Sequence, residues 1–193
     1  MINIEQLLSD AKYNHSRNVA NISKLIALNA GYPDDEAKII EQAALLHDIG
    51  KNAIPPDILN KPDKLTPEEY EIVKTHTEAG YKQIMEAVKI LTISASVAKE
   101  HHERLNGEGY LGISGININP YSKLISVADV FDALMSRRPY KESWDISKVI
   151  NYLSEHDEQF DRSMVKYLIN VIRDVLLLYN TSNPNSSDAK QAV

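Results

Sequence analysis

Apolar residues recur at three- and four-residue spacing along most of this chain, the period of helices with one buried face. Leu7, Leu8, Ala11, His15, Val19, Ile22, Leu25 and Ile26 predict a first helix from about Ile4 to Ala30, stopped by Gly31. After Tyr32 and Pro33, a helix from about Asp34 turns Ile39, Ile40, Ala43, Ala44 and Leu46 inward and delivers His47 and Asp48 at its end, with Gly50 expected in the left-handed conformation. Residues 52–63 carry three prolines and read as a loop. Thr66-Pro67-Glu68-Glu69 is a strong helix start, a threonine cap with proline in the first helical position, and the helix it opens would align Tyr70, Val73 and His76 on one side. Another helix, from about Leu91 to His102, ends in a histidine pair. Gly107, Gly109, Gly112 and Gly115 then make Asn106 to Ile116 a loop, and Pro120 opens a helix that places Asp129 and Asp132 three residues apart on one face. A polar segment, Ser136 to Trp144, holds Arg137, Arg138 and Lys141. Two closing helices follow, the first with Asp145 as cap and the second with Val165, Leu168, Ile169, Ile172, Val175 and Leu176 as its apolar side. No stretch alternates as a strand would. The pattern predicts an all-α fold, one domain over residues 1–180, and a Ser/Asn-rich disordered tail over 181–193.

Composition narrows what those helices can do. A length of 193 residues suffices for one domain with a real core. There is no cysteine, so disulfides, thiolate metal sites and cysteine nucleophiles are excluded. A net charge of -6 and a sequence pI of about 5.5 argue against a binder of duplex nucleic acid, which needs a basic face. An anionic substrate would therefore depend on local positive charge. No run reaches membrane-span length and the first ten residues lack the features of a signal peptide, so the expected location is cytoplasmic, with no membrane partner.

Against that background Leu45-Leu46-His47-Asp48-Ile49-Gly50-Lys51 stands out, because neither an imidazole nor a carboxylate belongs in a core without a partner. Together they suit a metal ion of borderline ligand preference. His15, His76, the His101-His102 pair and Asp129 each fall in a helix or at a helix end, and with His47 they use five of the six histidines. Taken singly, each has an ordinary structural reading. His15 would be a hydrogen-bonded core histidine, His76 a helix-surface residue, and the pair a C-terminal helix cap favoured by the dipole. Asp129 is harder to dismiss, since a buried unpaired carboxylate is costly.

The set as a whole resembles the HD-GYP branch of the HD-domain metal phosphohydrolases. The matching segments are His15-Ser16, His47-Asp48-Ile49-Gly50-Lys51, Ile58-Leu59-Asn60-Lys61-Pro62 with Leu65-Thr66 and Glu69, His76, His101-His102-Glu103, Gly107-Glu108-Gly109-Tyr110, Val127 to Leu134, and Arg138-Pro139-Tyr140-Lys141. The resemblance implies a helical bundle around a binuclear centre, with His15, His47, Asp48, His76, His101, His102 and Asp129 as ligands and Asp48 bridging. Mononuclear relatives need only the positions of His15, His47, Asp48 and Asp129, so His76 and the pair point to a second ion. The position that supplies a glutamate for a third metal in some members is Ala11 here, so two divalent transition-metal ions are expected. Five imidazoles and two carboxylates suit iron, manganese, zinc or nickel over magnesium or calcium, and the family favours iron or manganese.

In such a site two cations about 3.5 to 4 Å apart hold a bridging hydroxide that attacks a phosphodiester. The resemblance assigns Lys51 to a nonbridging phosphate oxygen, Asp132 to the bridging water or Lys51, and Arg138 and Lys141 to the second phosphate of a cyclic dinucleotide. The alternative is a solvated helix-end lysine for Lys51 and an ordinary basic surface loop for Arg138 and Lys141. The expected activity is hydrolysis of cyclic di-GMP or a related cyclic dinucleotide. Alternatives are an HD phosphohydrolase acting on another nucleotide or phosphate ester, or a module that binds a dinucleotide or a protein without turnover. Two departures from the signature, Asn106 for aspartate and Leu111 for proline, spare the expected ligands and fall on a loop, Asn106 to Ile116, that is also the expected docking place for a signalling partner. Activity is expected to fall below about pH 6, since histidine ligands must be neutral.

Overall fold

A computed structural model of the chain describes residues 14–87, 92–136 and 143–182. The described part of the first helix, α1 (Asn14–Asn29), buries Val19, Ile22, Ser23, Ile26 and Ala27 along one stripe. It ends where periodicity predicts. Gly31 sits at φ +89°, and a Cβ added there would have nothing within 4 Å, so what the turn needs is the left-handed backbone rather than space. α2 (Asp34–Leu46) opens with three acidic residues at its positive end and packs on α1, with Ile40 and the small Ala37, Ala43 and Ala44 buried in the shared core.

The segment expected to be loop is partly helical: a 3-10 helix covers Ile49–Ala53 and a single turn, α3, covers Pro56–Leu59. Gly50 is not left-handed there. Its Cβ would instead lie 1.9 Å from the carbonyl oxygen of His76 and 2.5 Å from the nitrogen of Gly80, so the residue is glycine for close approach. α4 (Pro67–Lys74) carries the complete capping box, with Thr66 Oγ1 accepting from the Glu69 amide and the Glu69 carboxylate accepting from the Thr66 amide. It stops at Thr75, so His76 does not continue the Tyr70 and Val73 face but starts α5 (His76–Ala87). α6 (Thr92–Glu100) ends just before the histidine pair.

α7 (Pro120–Met135), capped by Asn119, is the central helix. Leu124, Ile125, Val127, Ala128 and Phe131 are all fully buried in it, and the same helix carries Asp129 and Asp132. A helix apolar on nearly all sides can only be enclosed by others, and α1, α2, α6, α8 (Ile146–Glu155), and α9 (Arg162–Asn170) pack against it. Asp145 caps α8 as expected. The second closing helix breaks at Val171, which is followed by α10 (Ile172–Ser182); that helix takes in Thr181 and Ser182, and the rest of the expected tail lies outside the described residues. A second apolar cluster of Leu46, Ile49, Ile84, Ala95 and Ala98 clamps the 3-10 helix between α2, α5 and α6. No strand occurs among the described residues, and no described helix is long and apolar enough to cross a membrane.

Candidate metal centre

Four chain segments end or begin at one place. His47 and Asp48 follow the last residue of α2, His76 is the first residue of α5, His101 and His102 follow α6, and His15 on α1 faces Asp129 on α7. His47, His76 and His101 are completely inaccessible to solvent. Each of these three rings donates its Nδ1 proton to a carbonyl of the preceding turn: His47 to Ala44 at 2.6 Å, His76 to Val73 at 2.7 Å, and His101 to Val97 and Ala98 at 3.1 Å. A neutral ring whose Nδ1 donates must present Nε2 as a lone pair. These lone pairs converge. His76 Nε2 and His101 Nε2 lie 3.5 Å apart, both aimed at Asp48 Oδ1, at 3.4 and 3.7 Å. Asp48 Oδ2 is 3.3 Å from His47 Nε2, which has Asp129 Oδ1 beyond it at 3.9 Å. Lone pairs facing one another in a buried site repel unless a cation lies among them, and both His47 Nε2 and Asp48 Oδ1 are buried without a hydrogen-bond partner.

The donors form two groups, Asp48, His76, His101 and His102 in one and His15, His47 and Asp129 in the other, each with its donor atoms within 4.8 Å. All seven residues singled out in the sequence are thus brought together, and the nitrogen and oxygen donors with Nδ1 held from behind fit divalent transition metals. Asp48 joins the groups, one oxygen toward each.

The charges are set by this packing. Burial alone would raise the Asp48 carboxyl, but His47 and Lys51 outweigh it and hold the group well below the ordinary range. Burial is likewise outweighed at Asp129, mainly by its hydrogen bond with His15. Burial pushes His76 down to about 4, and burial with the neighbouring His101 holds His102 well below its ordinary value. His15 is the exception: burial opposes its charge, yet hydrogen bonds to Asp129 and Asp132 raise it to about 10. The two groups should therefore take up a cation differently. Near neutral pH the His15 group must release a proton to bind, and its affinity should fall about tenfold per unit as pH drops below 10, whereas His76 and His102 are already neutral. For the metal-free chain, the raised His15 stabilises fully below pH 6.5 and fades as pH rises toward 10, while the depressed His76 withdraws stability as pH falls from 6.5 toward 4. Calorimetric titration with manganese at pH 8 and pH 6, in buffers of differing ionisation enthalpy, should find about one proton released and weaker uptake at the lower pH; pH-independent affinity would contradict the arrangement.

Several side chains frame the cluster. Lys51 Nζ lies 2.5 Å from Asp48 Oδ2 on the wall of a cavity of about 340 Å³ that also reaches His15, His76, His102, Arg104 and Asp129. Asp132, expected beside the bridging water or Lys51, stands instead behind His15. It is completely buried and accepts from His15 Nδ1 at 2.6 Å, Tyr179 Oη at 2.6 Å and Asn18 Nδ2 at 2.9 Å, with Ser136 Oγ at 3.3 Å. The i, i+3 spacing of Asp129 and Asp132 matches the two nitrogens of one imidazole, so Asp132 backs His15 while Asp129 faces its Nε2 at 3.0 Å. Arg138, Lys141 and Ala11 lie outside the described residues.

Sequence reasoning missed the tasks of Glu103, Arg104 and Tyr179. The buried Glu103 carboxylate accepts from the Leu111 and Ile113 amides and so ties the glycine loop to the histidine pair. Gly109 passes so close that its Cβ would lie 2.4 Å from Glu103 Cα, which is why that position is glycine. Arg104 donates to the Glu103 carbonyl and to Ser126 Oγ and stands over the Phe160 ring. The His-His-Glu-Arg string and the spaced glycines were the available signal for the first two. Nothing local could have pointed to Tyr179.

A family model described as an HD domain matches residues 2–164. The cyclic di-GMP phosphodiesterase response regulator RpfG of Xanthomonas campestris is 40% identical over 154 residues, covering 78% of this chain and 41% of that protein. The 3'3'-cGAMP-specific phosphodiesterase 1 of Vibrio cholerae is 36% identical over 155 residues, 79% of this chain and 36% of that protein. The chain thus spans about two fifths of the length of these relatives. Two solved structures share the fold: Bd1817, an HDG"Y"P protein of Bdellovibrio bacteriovorus, with a TM-score of 0.68 and 22% identity over 83% of this chain and 52% of that one, and the HD domain of the phosphodiesterase PgpH of L. monocytogenes in complex with cyclic-di-AMP, with a TM-score of 0.62 and 21% identity over 98% of this chain and 99% of that one.

Proposed function

This chain belongs to the HD-domain family, and we propose that it is a metal-dependent phosphodiesterase that hydrolyses cyclic di-GMP or a closely related cyclic dinucleotide. The observation that carries the reading is the buried cluster of seven donors in two groups joined through Asp48, four of which, His15, His76, His102 and Asp129, line a cavity together with Lys51 and Arg104. The relatives named above, RpfG and the cGAMP-specific enzyme, supply the substrate class. Two ions are proposed, iron or manganese, one held by His15, His47 and Asp129, the other by His76, His101 and His102, with Asp48 common to both. When bound, such ions lower the pKa of water and polarise a phosphodiester oxygen.

The residues of the chain do the rest. The carbonyl bonds at Nδ1 of His47, His76 and His101, and the Asp132 bond at Nδ1 of His15, hold these four rings in place before any ligand arrives, so they need not reorient. Lys51, whose side chain is 37% exposed and lines the cavity, is placed to neutralise a nonbridging phosphate oxygen. Arg138 and Lys141 are proposed to grip the second phosphate. The loop from Asn106 to Ile116, with Leu111 and Ile116 exposed, is the proposed contact for a signalling partner.

Incubating the iron- or manganese-loaded protein anaerobically with cyclic di-GMP and separating the products should yield the linear dinucleotide or mononucleotides. Absence of any product with either metal, or faster turnover of a nucleoside monophosphate, would overturn the assignment. Arg138→Ala should keep its metals and bind the dinucleotide about 10- to 100-fold more weakly, the loss of one charge-assisted phosphate contact. Unchanged affinity would remove Arg138 from the site.

A further inference from the structure

Beyond the cluster, on the far side of His102, Arg104 and Tyr110, lies a second cavity of about 350 Å³, lined by those three residues with Tyr70, Glu108 and Gln159. His102, Arg104 and Tyr110 line both cavities, so the second directly adjoins the one at the cluster. The lining is that of a nucleobase site. Tyr110 lies tilted on the His102 ring, with centroids 4.5 Å apart, and meets Tyr70 edge to face at 5.9 Å, with Lys74 Nζ 5.6 Å from its ring. Aromatic faces of this kind stack any base. Glu108 is what would discriminate. Its Oε2 accepts from Asn106 Nδ2 at 2.9 Å and its amide donates to Asn106 Oδ1 at 3.1 Å, so the asparagine that departs from the family signature orients a carboxylate at the rim and leaves Oε1 and the second lone pair of Oε2 to a ligand. An aspartate at 106 would repel it.

Resting on the phosphodiesterase reading, we propose that this second cavity is a guanine subsite, with Glu108 as its specificity-determining residue. The Watson–Crick edge of guanine presents two adjacent donors, N1–H and the exocyclic amine, which suit the two oxygens of a carboxylate. Adenine presents one donor beside an acceptor, so its N1 lone pair would meet the Glu108 charge. The Gln159 amide, on the same wall, can donate to guanine O6. One such bidentate pairing discriminates between bases by roughly 10- to 100-fold.

The test compares kcat/KM for cyclic di-GMP, 3'3'-cGAMP and cyclic-di-AMP using metal-loaded protein. Because one guanine suffices to fill one subsite, the first two should be turned over comparably and the third about tenfold or more less well. Glu108→Gln, at an exposed position where the bond from Asn106 can persist, should bring the cyclic-di-AMP value to within about threefold of cyclic di-GMP at unchanged metal content, since a glutamine amide pairs with adenine. Asn106→Asp should shift the ratio in the same direction. Equal turnover of all three by the unaltered protein, or a ratio that Glu108→Gln does not move, overturns the subsite while leaving the phosphodiesterase standing. Failure to turn over any of the three sinks both.

Discussion

Asp48→Ala should abolish turnover, lowering kcat by more than about 100-fold, and should strip metal from the protein while leaving its helices intact. The size of the effect follows from position. Asp48 is the one carboxylate of the cluster whose two oxygens face different groups, Oδ1 toward His76 and His101 and Oδ2 toward His47. Without it, Lys51 Nζ, now 2.5 Å from that oxygen, would leave an uncompensated positive charge beside the remaining donors, which opposes cation binding further. The fold has no comparable stake in this side chain. Asp48 precedes the 3-10 helix without capping it, and its carboxylate accepts from the Lys51 side chain rather than from any backbone amide of that helix. Elemental analysis beside circular dichroism separates the two effects. A variant that keeps two ions per chain and hydrolyses substrate at the original rate would show that the groups are not joined through Asp48.

The largest expected effect on stability comes from Gly50→Ala. Its Cβ would stand 1.9 Å from the His76 oxygen, 2.9 Å from the His76 carbonyl carbon and 2.5 Å from the Gly80 nitrogen, all backbone atoms that cannot swing aside. The 3-10 helix and α5 must part, opening the Leu46, Ile49, Ile84, Ala95 and Ala98 cluster that clamps them. Overpacking against backbone costs about 3 kcal/mol or more, equivalent to a fall in Tm of roughly 6 to 12 °C for a domain this size. The same movement displaces His76 from Asp48, so manganese affinity should drop at least about tenfold. A displacement of about 1 Å is enough to disable a preorganised site. Gly31→Ala is the contrast. That glycine is left-handed but touches nothing, so the substitution should cost only about 1 kcal/mol and leave metal uptake alone. Thermal unfolding and metal titration of both variants check this, and a Gly50→Ala protein with unchanged Tm and affinity would contradict it.

Much of the molecule is legible in the chain because local physics decides it. The 3.6-residue period locates α1, α2 and α7, the helix starts at Thr66 and Pro120 are readable, and the caps at Thr66 and Asp145 fall where side-chain acceptors meet free amides. The seven candidate ligands can be named because, although each has an ordinary reading alone, the set in this order matches the pattern of a known family, and a buried carboxylate such as Asp129 is costly without a partner. What no local rule reaches is which partner each one finds. Asp132, expected near Lys51, stands behind His15, 117 positions away, with Tyr179 closing on it from the last helix, 47 positions away. Gly50 has the local context of a helix-stopping residue, yet its role is to let two backbones touch. Asn106, in sequence only a departure from a signature, holds Glu108 at the rim of a second cavity. Sequence by itself determined the helices and the chemical types of the site, because these depend on neighbours within a turn or two. The pairing of donors, the close crossing at Gly50 and the shape of the cavities were decided by the tertiary structure, because they depend on distances between segments that only packing brings together.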